Sequence, residues 1–183
     1  MRDMEILAQM IRESALVEPK PDGSGKPCVR LVESQTDNSE LTVLNLPKDT
    51  LVIKADKFRS PDDVFFGHNG ECKRADYVII SEIYKCIIYI EMKRTSDSLH
   101  NFVNQLKGAY CFIKYCREIG KAFWNKENFL DDYKDLFISC RRTRGAKTRT
   151  GQLPDCELHD APHKALRIRG KGTQFRYIAA LSR

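Results

Sequence analysis

Arg74-Ala75-Asp76-Tyr77-Val78-Ile79-Ile80-Ser81, followed after four residues by Cys86-Ile87-Ile88-Tyr89-Ile90-Glu91-Met92-Lys93, is the stretch whose reading decides the fold. Each run is rich in β-branched and aromatic residues and has strand length. The spacer Glu82–Lys85 is short enough for a hairpin. If Ser81 faces Cys86, paired positions sum to 167, so Val78 meets Tyr89 and Asp76 lands opposite Glu91. Side chains alternate along a strand, so Asp76, Glu91 and Lys93 are expected on one face. Both runs are apolar on both faces, which predicts interior strands of a sheet.

Two opposed carboxylates at the end of a buried hairpin need compensation. Directly paired Cβ atoms lie about 4.5–5.5 Å apart, and like charges there are destabilising. A divalent cation supplies that compensation. Hard oxygen ligands suit Mg²⁺, or Mn²⁺, which takes one or two carboxylates and keeps several waters. Such a metal activates water and neutralises phosphate oxygens, while a nearby lysine orients the water or steadies developing charge. The chemistry indicated is phosphodiester hydrolysis.

Outward from the hairpin, Leu99, Phe102, Val103, Leu106, Tyr110, Ile113 and Cys116 recur at helical spacing, predicting a helix over about 97–119. Ser96 would cap its start and Gly120 its end. Leu136-Phe137-Ile138 is a further strand. Before the hairpin, Met4, Leu7, Ile11 and Ala15 predict a helix over roughly 3–16, stopped by Glu18-Pro19. Residues 21–27 form a loop without the spacing of a phosphate-binding loop. Leu41–Leu44 and Leu51–Ile53 are short strands, and Gly67-His68-Asn69-Gly70 is a turn. Near the end, Ala165–Arg169 and Phe175–Leu181 are expected to close as a hairpin. The order of elements predicts an α/β layered domain.

The paired strands resemble the motif of PD-(D/E)xK nucleases, in which an acidic residue opens one core strand and a (D/E)-x-K ends the next. The resemblance covers about 60–140. It implies a three-layer restriction-endonuclease-like core, a mixed central sheet flanked by helices. It also implies that Asp76 and Glu91 hold Mg²⁺ or Mn²⁺, with the Met92 carbonyl as a further ligand, and that Lys93 is the catalytic lysine. Gln105 resembles a glutamine that several branches carry on the following helix, there to position water or a phosphate. Asn104–Tyr110 is similar to the QxxxY helix of some exonucleases, although its tyrosine falls five residues after Gln105 rather than four. Ala75 stands where the name-giving proline would be. Pro61-Asp62-Asp63 has the letters of the motif but opens no apolar strand. Glu5, Glu13 and Glu18 give no clear first-helix ligand.

Charge placement points to a polyanion. The 183 residues carry a formal +6, yet Arg141–Arg183 holds 11 Lys and Arg against 3 Asp and Glu. The expected division is therefore 1–140 as the nuclease core and 141–183 as a basic β segment packed on it. Arg141, Arg142, Arg144, Lys147 and Arg149 would contact nucleic acid backbone, DNA rather than RNA, in a salt-dependent way. A homodimer would suit cutting of two strands. The alternative class is a non-catalytic nucleic-acid- or partner-binding subunit on the same fold.

The seven cysteines lie mostly in apolar runs and read as reduced thiols, placing the chain in the cytoplasm. No run reaches the roughly 18 apolar residues of a membrane helix. Cys140, Cys156, His159 and His163 lack a CxxC pair and read as polar surface rather than a zinc site. His68 and His100 read as a turn residue and a helix residue. Phe123, Trp124 and Phe129, among lysines, read as packing against the long helix rather than as base-stacking groups.

Overall fold

The structure, a computed structural model, describes residues 1–33, 40–93, 99–141, 159–169 and 173–176. Its centre is a mixed five-stranded sheet. In sheet order the strands are β4 (Leu51–Lys54), β5 (Tyr77–Ser81), β6 (Cys86–Lys93), β7 (Lys134–Arg141) and β8 (Leu166–Arg169). The first three run antiparallel, and β7 and β8 run parallel to β6. β5 and β6 are interior strands, and every residue from Tyr77 to Ser81 is buried.

The expected register holds. Ser81 pairs with Cys86, Ile80 with Ile87 and Val78 with Tyr89. Asp49 pins the turn: its carboxylate accepts from the Ile83 amide (2.7 Å) and the Ser81 hydroxyl (3.2 Å). Lys85 completes the turn at φ +46°. A slip of one residue would turn every side chain of the strand to the opposite face, so this anchor protects the core.

The two faces are covered differently. Ile53, Val78, Ile80, Ile87, Tyr89 and Phe137 pack on Ile6 and Leu7 of α1 (Asp3–Met10) and on Leu106, Ala109 and Ile113 of α2 (Leu99–Trp124). Val52, Tyr77, Ile79, Ile88, Ile90 and Ile138 pack on a second sheet. That sheet has the order β1 (Lys20–Pro21), β2 (Pro27–Val32), β3 (Glu40–Leu44) and β9 (Thr173–Arg176). The layers are thus helix, sheet, sheet, whereas helices were expected on both faces. β2 explains the difference: Val29 and Leu31 are buried while Arg30 and Val32 face out, an alternation confined to four residues behind a Pro/Gly-rich loop. Burying each such aliphatic side chain contributes on the order of 1.5–3 kcal/mol.

Three further expectations change. The first helix ends at Met10. The chain then extends so that Leu16 bridges Ile53 and the Val17 amide donates to Val52 O (2.9 Å), and edge pairing takes over from helical propensity. α2 continues past Gly120 to Trp124, and Asn125, at φ +53°, supplies the left-handed cap instead. Gly120 is needed for packing, because a Cβ there would stand 2.1 Å from Phe129 Cδ1. Ser96, the expected N-cap, lies outside the described residues. Among the described residues the closing hairpin is not formed: β8 pairs with β7 in one sheet and β9 with β3 in the other. Among the described residues, no helix is long and apolar enough to cross a membrane, and the six described cysteines are free thiols.

Candidate functional site

Asp76 immediately precedes β5 and continues its register one step, opposite Glu91. Hydrogen bonds to the neighbouring backbone hold it. Its carbonyl accepts from the Ala55 amide (2.8 Å), and its Oδ2 accepts from the Met92 amide (2.7 Å). The second is a charge-assisted bond, stronger than a neutral one. Glu91 is fully buried (0% exposed) and pairs across β6–β7 with Ser139, itself buried. Ser139 in turn pairs with the exposed Arg167 on β8. Glu91, Ser139 and Arg167 therefore form one polar row across three strands, on the face that α2 covers, with Asp76 at its end just ahead of β5.

The row opens at Asp76 into a cleft of about 340 Å³, lined by Glu33, Asp56, Cys72, Lys73, Arg74, Asp76, Asn101 and Gln105. Each wall has a local cause. Asn101 and Gln105 are one turn apart on α2 and share its face. Gly108, one turn further, lets the helix meet the chain leading to Asp76: a Cβ there would stand 1.6 Å from Lys73 O. Gly70, at φ +86°, packs on Asn104, where a Cβ would stand 2.6 Å from Nδ2. Tyr77 ties the second sheet to the site, donating to Val32 O (2.6 Å) and accepting from the Val32 amide (3.1 Å). That clasp brings Glu33 to the cleft. Burial raises the Tyr77 hydroxyl pKa above its ordinary value, with Asp76, Asp56 and Glu33 adding to the rise. Burial likewise pushes the Cys140 thiol up to about 12, with Asp76 adding to it.

Gln105 thus shares a cleft with Asp76, and its Oε1 is buried with no hydrogen-bond partner among the described residues. Glu91 stands beside Asp76 in register, within the protein. At Asp76 the backbone group of Met92 in contact is its amide; its side chain is buried on the opposite face. Lys93 ends β6, its backbone paired with Arg141, and its side chain lies outside the described residues. So do the side chain of Arg141 and the whole of Arg142, Arg144, Lys147 and Arg149.

Of the discounted groups, Cys140 faces the second sheet, His159 is buried and Cys156 lies outside the described residues. His100 Nε2 is 3.0 Å from Asn104 Nδ2. Phe129 is fully buried, Trp124 donates to Gln9 (3.2 Å), and Phe123 is exposed.

Sequence reasoning missed Glu33, Asp56, Lys73 and Arg74. The last two adjoin Ala75-Asp76, so adjacency was a usable signal. Glu33, just past β2, and Asp56, in the 3-10 turn after β4, reach the cleft from elsewhere in the chain and carry no local signal. Among the described residues, no group of three or more His, Cys, Asp or Glu side chains is placed to hold a metal ion. The opposed pair Asp76 and Glu91 still fits Mg²⁺, which needs only one or two carboxylates and prefers hard oxygen donors. No family model matches the chain, and no curated protein or solved structure matches it significantly.

Proposed function

We propose that the chain is a metal-dependent nuclease that hydrolyses phosphodiester bonds in DNA on a restriction-endonuclease-like core. The observation that carries this reading is the β5–β6 register, which runs to Tyr77–Ile90 and, continued one step, sets Asp76 beside Glu91 at the cleft, with Lys93 two positions along β6. The order of elements in the central sheet supports it: antiparallel β4, β5 and β6, then the long helix α2, then β7 parallel to β6. Asp76 and Glu91 would hold Mg²⁺ or Mn²⁺, which activates water and neutralises phosphate charge when bound.

The chain's own groups do the rest. The Met92 amide fixes the Asp76 carboxylate. Burial of Glu91 between α2 and the sheet keeps it from competing solvent. Lys93 steadies the charge that develops on the phosphate or orients the attacking water. Gln105 offers a buried carbonyl oxygen that can accept a hydrogen bond from that water.

The test is incubation of the purified chain with circular, linear and single-stranded DNA and with RNA, in Mg²⁺ or Mn²⁺, beside Lys93→Ala. Cleavage present in the parent and lost in the variant supports the reading. Equal cleavage by both refutes the role of Lys93. Salt-sensitive binding without cleavage under either metal favours a non-catalytic nucleic-acid-binding subunit.

A further inference from the structure

We infer that the cleft takes one unpaired nucleic-acid strand, with Lys73 and Arg74 holding a backbone phosphate and Phe65 and Phe66 on the rim stacking a neighbouring base. This assignment rests on the nuclease reading and names its substrate class.

The cations come first. Lys54, Lys85, Lys121, Lys126 and Lys164 each form an ion pair with a carboxylate. Lys73 forms none among the described residues: its ammonium donates to the neutral Asn101 Oδ1 (2.8 Å). Arg74 donates from Nη1 to Cys72 O (3.3 Å), and its Nε is buried with no acceptor among the described residues. A buried donor left unmatched costs free energy, and a guanidinium fork matches a phosphate. Glu33, Asp56 and Asp76 share the cleft. They repel an anion everywhere except beside these two cations or a bound divalent ion. Gly108 holds the Lys73–Arg74 backbone against α2, so the cations are presented on a fixed support three and two residues before Asp76.

The rim supplies the second element. Phe66 is 92% exposed, Val64 77% and Phe65 53%. Such a run of apolar surface has no role in the core and marks an interaction site. It is tied to the cleft wall, because the Cys72 thiol donates to Phe65 O (3.5 Å) and the Ser60 hydroxyl donates to Cys72 O (3.1 Å). The Phe66 ring already packs beside His68, with centroids 5.4 Å apart. Aromatic rings beside cations that hold the backbone bind single strands by stacking on bases. In a duplex those base faces are covered by their neighbours. The cleft volume of about 340 Å³ is that of a small-ligand site, enough for one nucleotide unit and not for a double helix.

The test is fluorescence anisotropy of the full chain with a labelled single-stranded oligodeoxynucleotide and with its duplex, in EDTA and across a series of KCl concentrations. The parent should bind the single strand more tightly. Lys73→Gln should reduce the slope of log K against log salt by about 0.7, one single-strand phosphate contact. Phe66→Ala should weaken single-strand binding by about 5- to 150-fold and leave duplex binding unchanged. Both side chains are exposed, so both variants should keep the parent's urea midpoint. Equal parental affinity for single strand and duplex overturns the inference. So does wild-type affinity and salt slope in both variants, or a Phe66→Ala effect on self-association alone. Cleavage by the parent and by Lys93→Ala, measured separately in Mg²⁺, reports on the nuclease reading. Lys93-dependent cleavage with unaltered binding by the Lys73 and Phe66 variants would remove only the strand assignment.

Discussion

Replacing Gly108 with alanine tests the close approach on which the site depends. On an exposed helix face the change would stabilise the chain by about 1 kcal/mol, because alanine is the better helix former. Here the new Cβ would stand 1.6 Å from Lys73 O, 2.5 Å from its carbonyl carbon and 3.2 Å from Arg74 Cα. Real Cβ atoms essentially never come within 3.0 Å of another heavy atom, so α2 and the segment must part by more than an ångström. The obstacle is backbone, and no side chain can rotate away. Forced overpacking costs about 1–3 kcal/mol, and this geometry belongs at the upper end. After the helix gain is subtracted, the net loss is about 2 kcal/mol, or about 4–8 °C in Tm at this chain length. Thermal unfolding followed by circular dichroism measures it. Gly23→Ala is the control, since nothing lies within 4 Å of a Cβ there. A Gly108→Ala protein as stable as the parent, or more stable, would show that the helix does not press on Lys73 and that the approach to Asp76 is set otherwise.

Asp76→Ala should abolish the thermal stabilisation that Mg²⁺ or Mn²⁺ gives the parent, about 2.7 kcal/mol at one hundred times Kd; a persisting shift would place the metal elsewhere. Tyr89→Phe should cost about 1–2 kcal/mol in urea unfolding, because Asp135, half-buried beside the buried Arg117, loses a 2.7 Å hydrogen bond from the phenol. An unchanged midpoint would mean that the pair is satisfied without Tyr89. The Cys116 and Cys140 thiols are pushed by burial from an ordinary value of 9.0 up to about 12. Each neutral thiol is favoured in the folded state, so its contribution is whole below the unfolded pKa and is lost as pH rises from about 9 towards 12. Each thiol adds about 1.36 kcal/mol per pH unit to the decline there, and Cys140→Val should flatten it by that amount. An identical alkaline slope in that variant would contradict the burial of Cys140.

The hairpin was legible because its determinants are short-range. Alternation, a four-residue spacer and apolar character on both faces place Asp76 opposite Glu91 without knowledge of any other element, and Asp49 then secures that register from outside. The long helix was legible through its 3.6-residue period, but its end was not. Gly120 carries a C-cap signal, and only the presence of Phe129 over it shows that it serves packing.

The sequence by itself determined the interior hairpin, the shared face of its acidic pair and the amphipathic helix that follows, since each is written in residues close along the chain. The tertiary structure alone decided which layer covers the second face, the parting of β8 and β9 into different sheets, and the meeting of Glu33, Asp56, Lys73 and Arg74 around one cleft. Those outcomes depend on contacts between segments far apart in sequence. Tyr77 clasping Val32 and Gly108 receiving Lys73 O both arise only when whole faces close on one another.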